Sequence, residues 1–370
     1  MGKPHVLVAG GGIAGMAAAL ALLRKGFDVD VYERAQAFRE VGAGVQISPN
    51  GNRALDRLGV FTALQARSCD ADGKEIRLWN SGRTWKLFDL GSVAVARWGY
   101  PYLTVYRPDL LQVLADAVAA LKPSALHLGA EVTSCVQEGD TVILRLADGG
   151  EARGDVLIGT DGVHSRIRAL LHGESAARFS GMMAWRGVIP MERLPAHMAR
   201  PVATNWIGPG AHAVCYPLRG GRLMNFVATV ARDDWREESW TTEGTVEECR
   251  GDFVGWHDDV QTMIAEAPSL FKWALMGRPP MERWSVGRIT LAGDACHPTL
   301  PFLAQGAVMA LEDAVILGRA FEAFGDDGPE ALRRYEAARL DVTRRKVLGA
   351  SANTERFHNP ALATEEGAAA

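Results

Sequence analysis

Gly10-x-Gly12-x-x-Gly15 stands between an apolar run, His5 to Ala9, and an alanine-rich run, Ile13 to Lys25. The first run predicts a buried strand, the second a helix, and Val29 to Glu33 a second strand, so together they make a βαβ unit. Glycine lets the tight turn form and lets the backbone approach a pyrophosphate, whose charge is met by N–H groups at the helix N-terminus. Glu33 closes the second strand eighteen positions after Gly15, where its carboxylate can accept both hydroxyls of an adenosine ribose. The pattern therefore predicts a dinucleotide site containing Gly10, Gly12, Ile13, Ala14, Gly15, Glu33 and Arg34. It does not separate a nicotinamide from a flavin dinucleotide.

The run Val6 to Leu23 is uncharged and as long as a membrane span. Gly10, Gly11, Gly12 and Gly15 break it into strand, turn and buried helix, which argues against a span, an exported leader or stable membrane association. A chain of 370 residues predicts one large domain or two sharing an interface. Lys and Arg number 40 against 44 Asp and Glu, with no block of like charge, so nucleic acid is not an expected partner. Cys69, Cys135, Cys215, Cys249 and Cys296 are odd in number and form no C-x-x-C pair, which argues against zinc and Fe–S sites and for reduced thiols in a cytoplasm.

Farther along, Ser48-Pro49-Asn50-Gly51 predicts a turn into a helix over Asn52 to Leu58 with Gly59 as its C-cap. Tyr102 to Tyr106 reads as a strand, Asp109 to Leu121 as a helix, Leu126 to Leu146 as alternating strands, and Val156-Leu157-Ile158 as a buried strand. Between Arg178 and about Arg283 the chain turns to tryptophans (185, 206, 235, 240, 256, 273 and 284), prolines and alternating segments such as Ala213 to Tyr216 and Leu223 to Val230. A strand and turn, Ile289 to Asp294, and a helical stretch from about Gly306 to Arg345 follow. The last dozen residues, rich in Ala and Glu, have a disordered composition.

Two further segments narrow the reading: Asp155-Val-Leu-Ile-Gly159-Thr-Asp161-Gly162-Val-His-Ser165-Arg-Ile-Arg168, and Gly287-Arg288-Ile-Thr-Leu-Ala-Gly293-Asp294-Ala295-Cys-His297-Pro298 followed by Gln305-Gly306-Ala307. With the glycine turn, they resemble the three motifs of the single-component FAD-dependent aromatic hydroxylases of the p-hydroxybenzoate hydroxylase fold. The resemblance runs from Val6 to about Arg345 and is nearest the salicylate and 3-hydroxybenzoate hydroxylases. It implies an α/β fold: a Rossmann-like FAD-binding lobe (1–72, 101–177 and 284–345), an inserted mixed β-sheet substrate domain (73–100 and 178–283), and a C-terminal tail (346–370). The short tail leaves no room for the C-terminal dimerisation or redox module of larger members, and homodimerisation stays open.

The resemblance also implies site roles. Asp294 would bind the ribityl and pyrophosphate region of FAD, Asp161 and Gly162 would serve FAD and nicotinamide, and Arg107 would contact FAD. Gln46 would lie along the isoalloxazine, with buried turn packing as the simpler alternative. Physical reasons stand beside these. An acid such as Asp294 accepts hydrogen bonds from cofactor hydroxyls, and the helix opening at Gln305, Gly306 and Ala307 offers positive potential to the flavin pyrimidine edge.

His212 and Tyr216, four apart on a strand, share a face. They resemble a His-x-x-x-Tyr pair that lies over the substrate ring in hydroxybenzoate and hydroxynicotinate hydroxylases, where a histidine accepting the phenol proton makes the ring electron-rich. His297 is the competing histidine, near the flavin or in a local backbone role. Arg186 can hold a substrate carboxylate at the site mouth or pair with a surface Glu. Pro301 and Phe302 are substrate-side candidates, although Pro301 offers no side-chain hydrogen bond.

The expected activity is hydroxylation of a small phenolic acid of the salicylate or 3-hydroxybenzoate type, with FAD bound, NADH or NADPH and O2 consumed, and a flavin C4a-hydroperoxide as oxygen donor. A hydroxypyridine acid, sequestration or modification of a larger aromatic, and a flavin-free nicotinamide dehydrogenase are the competing readings. No metal is expected.

Overall fold

The glycine turn sits above a five-stranded parallel sheet. The computed structural model describes residues 3–38, 43–232, 234 and 242–363, with the backbone alone at 354–356 and 363. His5–Ala9 is the central strand, flanked by Asp28–Glu33 and Val156–Gly159, with Leu126–Leu128 and Ile289–Leu291 outermost. Val6, Leu7 and Val8 are wholly buried, because helices cover one face of the sheet and a three-stranded antiparallel sheet, Val132–Glu138, Thr141–Leu146 and Glu151–Gly154, lies against the other. The helix Ile13–Leu23 is apolar all round because it is enclosed between Arg107–Leu121 and Gly306–Phe324. Among the described residues no helix is long and apolar enough to cross a membrane. From the central strand the chain builds outward on one side, then crosses to the other, leaving a switch point at the carboxyl ends of His5–Ala9 and Val156–Gly159, where such sheets take ligands.

The second large sheet has eight strands in the order Glu243–Gly244, Leu270–Gly277, Arg178–Pro190, Leu223–Ala231, Ala211–Leu218, Val202–Gly208, Gly73–Leu78, Thr84–Asp89. All neighbours are antiparallel except Gly73–Leu78 with Val202–Gly208. Strand alternation divides its residues. Ala211, Ala213 and Cys215 face a core with Trp185, Trp206, Phe226 and Phe253 under the helices Val246–Asp252 and Asp258–Glu266. Each buried Trp there removes about 150–250 Å² from water, on the order of 4–6 kcal/mol. His212, Val214, Tyr216 and Leu218 point the other way, toward the parallel-sheet layer, where Thr104 Oγ1 donates to Pro217 O and Gly44 N to Asn225 Oδ1.

The predicted strand at His5 to Ala9 forms with those bounds, and the helices expected from Asn52 and Asp109 form as Pro49–Arg57 and Arg107–Leu121, each begun early by a proline at its first turn. Gly59 follows the first of these in the left-handed region, at φ +72°. The C-terminal end differs more. Helix Gly328–Phe357 runs twelve residues past Arg345, because Val347 and Ala350 are buried and continue the helical apolar spacing. Pro360–Ala363 then form a 3₁₀ turn, so part of the stretch expected to be disordered is structured. Residues 364–370, Trp235, Trp240 and Gly42 lie outside the described residues.

Candidate active site

The three motifs meet at the switch point of the parallel sheet. A Cβ on Gly10, at φ +109°, would lie 2.5 Å from Thr160 O, and one on Gly293 would lie 2.6 Å from the Ala14 Cβ. The glycine turn therefore touches the Asp161 segment and the Asp294 segment directly. A Cβ on Gly15 would lie 1.9 Å from Gly10 O, so Gly10 and Gly15 are required for the turn to close on its helix. Gly12 is different. Its backbone, φ −72° and ψ −173°, suits any residue, and a Cβ there would meet nothing within 4 Å. Gly12 faces open space at the N-terminus of Ile13–Leu23, a terminus with no side-chain cap and no acid in its first turn. That is a cradle suited to a pyrophosphate.

Around this cradle, Glu33 is held rigidly: its Oε2 accepts from Gly11 N at 2.6 Å and its Oε1 from Ala35 N at 2.8 Å. Each oxygen keeps a lone pair for a ribose hydroxyl. Arg34 is exposed beside it. Asp294 projects into solvent from the 3₁₀ turn Gly293–Ala295, and no described residue bonds its carboxylate. Gln305 precedes the helix Gly306–Phe324, donates from Nε2 to Ser48 Oγ at 3.1 Å, and leaves that N-terminus uncapped above Gly306 and Ala307. Gly162 turns at φ +80° with open space around it, and Arg107 begins its helix with its N–H on Ala43 O. An open glycine cradle, a free acid and two uncapped helix N-termini fit a dinucleotide with a flavin.

Four of the expected residues make local contacts that the sequence alone does not fix. The Asp161 carboxylate faces its own chain: Oδ1 accepts from Ser165 Oγ at 2.5 Å and Oδ2 from Arg166 N and Ile167 N, so it caps the helix Arg166–His172. Gln46 lies in a tyrosine cluster, with Oε1 accepting from the Tyr102 hydroxyl at 2.9 Å, and it opposes the upward pKa shift of Tyr216. Arg186 is neither at an exposed mouth nor on the surface. It is 3% exposed, with its guanidinium 5.6 Å from the Phe271 ring.

His297 takes the second of its two expected roles, the local backbone one. It is buried with Nε2 2.5 Å from Asp313 Oδ2, and Asp313 Oδ1 accepts from Arg339 Nε at 2.7 Å. Burial opposes the His297 charge, but the Cys296 sulfur and the Asp313 carboxylate outweigh it and raise its pKa well above the ordinary range. Burial likewise works against the Asp313 charge, yet His297 and Arg339 bring its pKa down to about 2. Asp313 Oδ2 also accepts from Gly293 N at 3.2 Å. His297 thus acts through Asp313 as a brace for the Gly293–Ala295 turn.

The sheet face opposite the cradle carries the other candidates. His212 sits across from Thr229, Tyr216 across from Asn225, and Arg186 across from Val227, all on one face. The His212 ring lies 5.4 Å from Phe302, of the turn Pro301–Leu303, and 5.4 Å from Phe357. Its Nδ1 is 2.6 Å from His358 Nε2. Burial, with His358 beside it, pushes the His212 pKa down to about 3, so the ring is neutral. Burial raises the Tyr216 hydroxyl far above the ordinary phenol range, Tyr102 adding to this and Gln46 opposing it. Thr229 Oγ1 and Asn225 Nδ2 are buried without a described partner. Sequence reasoning missed Asn225, Thr229 and His358. The even spacing of the first two in Leu223–Ala231 would have found them, whereas nothing local marks His358.

Comparison with known proteins agrees with this geometry. A family model described as an FAD binding domain matches residues 3–350. The chain is 39% identical to 3-amino-4-hydroxybenzoate 2-monooxygenase PtnB3 of Streptomyces platensis, over 97% of this chain and 89% of that protein. It is 37% identical to 6-hydroxynicotinate 3-monooxygenase of Bordetella bronchiseptica, over 92% and 88%. Among solved structures, Klebsiella pneumoniae HpxO in complex with FAD and uric acid superposes with a TM-score of 0.85 at 29% identity, covering 96% of this chain and 89% of that one. The chain belongs to the FAD-binding family of single-component aromatic hydroxylases, and is an FAD-dependent monooxygenase.

Proposed function

We propose that the chain hydroxylates a small aromatic ring bearing a hydroxyl and a carboxylate, held on the sheet face of His212, Tyr216 and Arg186. The observation that carries this reading is a neutral, buried His212 on the same face as a buried Arg186, two strands away. Two interstrand steps are about 10 Å, a span that two inward-reaching side chains and one substituted ring can fill. FAD bound across the glycine cradle and the Asp294 turn supplies the redox chemistry, with NAD(P)H and O2 as co-substrates.

The protein's own residues do the rest. His212 accepts the substrate hydroxyl proton at Nε2, which makes the ring electron-rich at carbons ortho and para to the oxygen. Arg186 meets the carboxylate with its donor fork. Phe302 and Phe357 close the His212 side against water. Tyr216, kept protonated by its burial, fixes the ring plane. Gly10, Gly12, Ile13, Ala14, Gly15, Glu33, Arg34, Arg107, Gly162, Asp294, Gln305, Gly306 and Ala307 hold the cofactor. Five free cysteines fit a reducing cytoplasm.

A hydroxyl para to the carboxylate is a second reading within this class. The relatives' names specify 3-amino-4-hydroxybenzoate and 6-hydroxynicotinate, and both acids have that arrangement. Salicylate and 3-hydroxybenzoate place the hydroxyl ortho and meta. The test is NADH and NADPH oxidation by FAD-loaded protein with each of the four acids, and mass spectrometry of the products. One acid that drives stoichiometric oxygen insertion supports the reading. Flavin reduction without a hydroxylated product from any of them contradicts it.

A further inference from the structure

The His212–His358 contact brings together residues 146 positions apart, with ring centroids 4.8 Å apart and planes tilted by 32°. His358 follows the helix Gly328–Phe357 and is fixed from both sides: Trp79 Nε1 donates to Leu362 O at 3.2 Å, and Asn353 Nδ2 to Phe302 O at 3.4 Å. A hydrogen bond between two neutral imidazoles links their tautomers. With the shared proton on His212 Nδ1, His212 Nε2 is a bare acceptor and His358 Nδ1 carries hydrogen. With it on His358 Nε2, His212 Nε2 becomes a donor and His358 Nδ1 is bare. His358 Nδ1 is itself buried and bonded by no described residue.

We propose that His358 completes a two-imidazole proton path out of the active site. The substrate hydroxyl gives its proton to His212 Nε2, the proton of His212 Nδ1 passes to His358 Nε2, and that of His358 Nδ1 leaves to a water molecule. One proton enters and one leaves. Both imidazoles end neutral, and the substrate ends as a phenolate that accepts a hydrogen bond from His212 Nε2–H. The inference rests on the preceding reading that His212 faces the substrate hydroxyl.

Two observations favour a path over a lone base. The first is that His358 Nδ1, the nitrogen of the pair farther from the substrate, is bonded by no described residue. The second is that burial holds both rings neutral, with His358 pushed down to about 4 and His212 to about 3, and among the described residues no charged side chain perturbs either. An imidazolium that weak returns its proton to a phenolate, whose conjugate acid is near 10 in a simple phenol. Exporting the proton through His358 avoids storing it on His212.

The test uses FAD-loaded wild type, H358F and H358N with the acid that wild type hydroxylates. Its readouts are kcat, KM, the solvent deuterium isotope effect and the ultraviolet phenolate band of the bound acid. H358F keeps an aromatic ring and is expected to lower kcat by about ten-fold or more, with KM within about three-fold. It is also expected to weaken the phenolate band and to regain rate when free imidazole is added. If H358F does not retain FAD, H358N carries the same readouts. A wild-type phenolate band and isotope effect in the variant overturn the proposal even if kcat falls through packing. A wild-type enzyme that hydroxylates none of the acids overturns the parent reading, and this one with it.

Discussion

Two of the histidines that the molecule buries near its proposed site are treated oppositely. His297, in the parallel-sheet layer, is charged and locked to Asp313 and Arg339, bracing the turn that presents Asp294. His212, on the eight-stranded sheet, is neutral and bonded to a second neutral imidazole. A histidine whose pKa a buried carboxylate raises is a poor acceptor of a substrate proton, and a neutral one with a bare nitrogen can take it. Burial has an outcome set by the partner: a carboxylate keeps the charge, and an imidazole does not.

Breaking each pair separates the two roles. Asp313→Ala leaves the His297 and Arg339 charges buried without their carboxylate and is expected to cost about 3–5 kcal/mol in urea unfolding; a loss below about 1 kcal/mol would contradict the bracing role. His212→Phe is expected to reduce hydroxylation about 100-fold or more with FAD still bound, as steady-state product formation and the flavin spectrum would show. Arg186→Gln should raise KM for the acid about 10–100-fold, with kcat changed far less, since a charged hydrogen bond contributes about 1.5–3 kcal/mol.

Acid unfolding sharpens the contrast. The folded pKa values of His212 and His358, about 3 and 4, lie below the unfolded value of 6.5. Their contribution to stability is therefore present above about pH 6.5 and is lost as pH falls toward 4, because the unfolded chain takes up protons first. His297 is raised instead, so its contribution is present below about pH 6.5 and is lost as pH rises through its folded value. The double variant H212F/H358F should lose about 5 kcal/mol less than wild type between pH 6.5 and 4 in urea midpoints; an equal loss would contradict neutral burial. The smallest effect belongs to Gly12→Ala, which should change folding stability by no more than about 0.5 kcal/mol while weakening FAD binding in a fluorescence titration.

These two regions were not equally legible in the sequence. The cradle is written in contiguous residues with backbone reasons: Gly10 and Gly15 have no room for a side chain, Gly12 faces open space, and Glu33 follows at the strand end. His212 and Tyr216 could be paired by strand alternation alone. The Asp161 carboxylate caps the helix Arg166–His172, a role legible from its place before Ser165 and a short helix. The burial of Arg186 is not legible, because a strand pattern gives a face while a charged residue suggests solvent. His358 had no local signal: its role depends on a helix continuing past Arg345 and on a contact across 146 residues.

The most direct test of the account is product formed per NAD(P)H oxidised by FAD-loaded H212F and wild type, with the preferred acid and oxygen present. Wild type should approach one hydroxylated product per NAD(P)H, and H212F should still bind FAD and acid yet form almost none. If H212F forms product at the wild-type rate and ratio, the chemistry does not run through His212, and the sheet-face assignment is wrong.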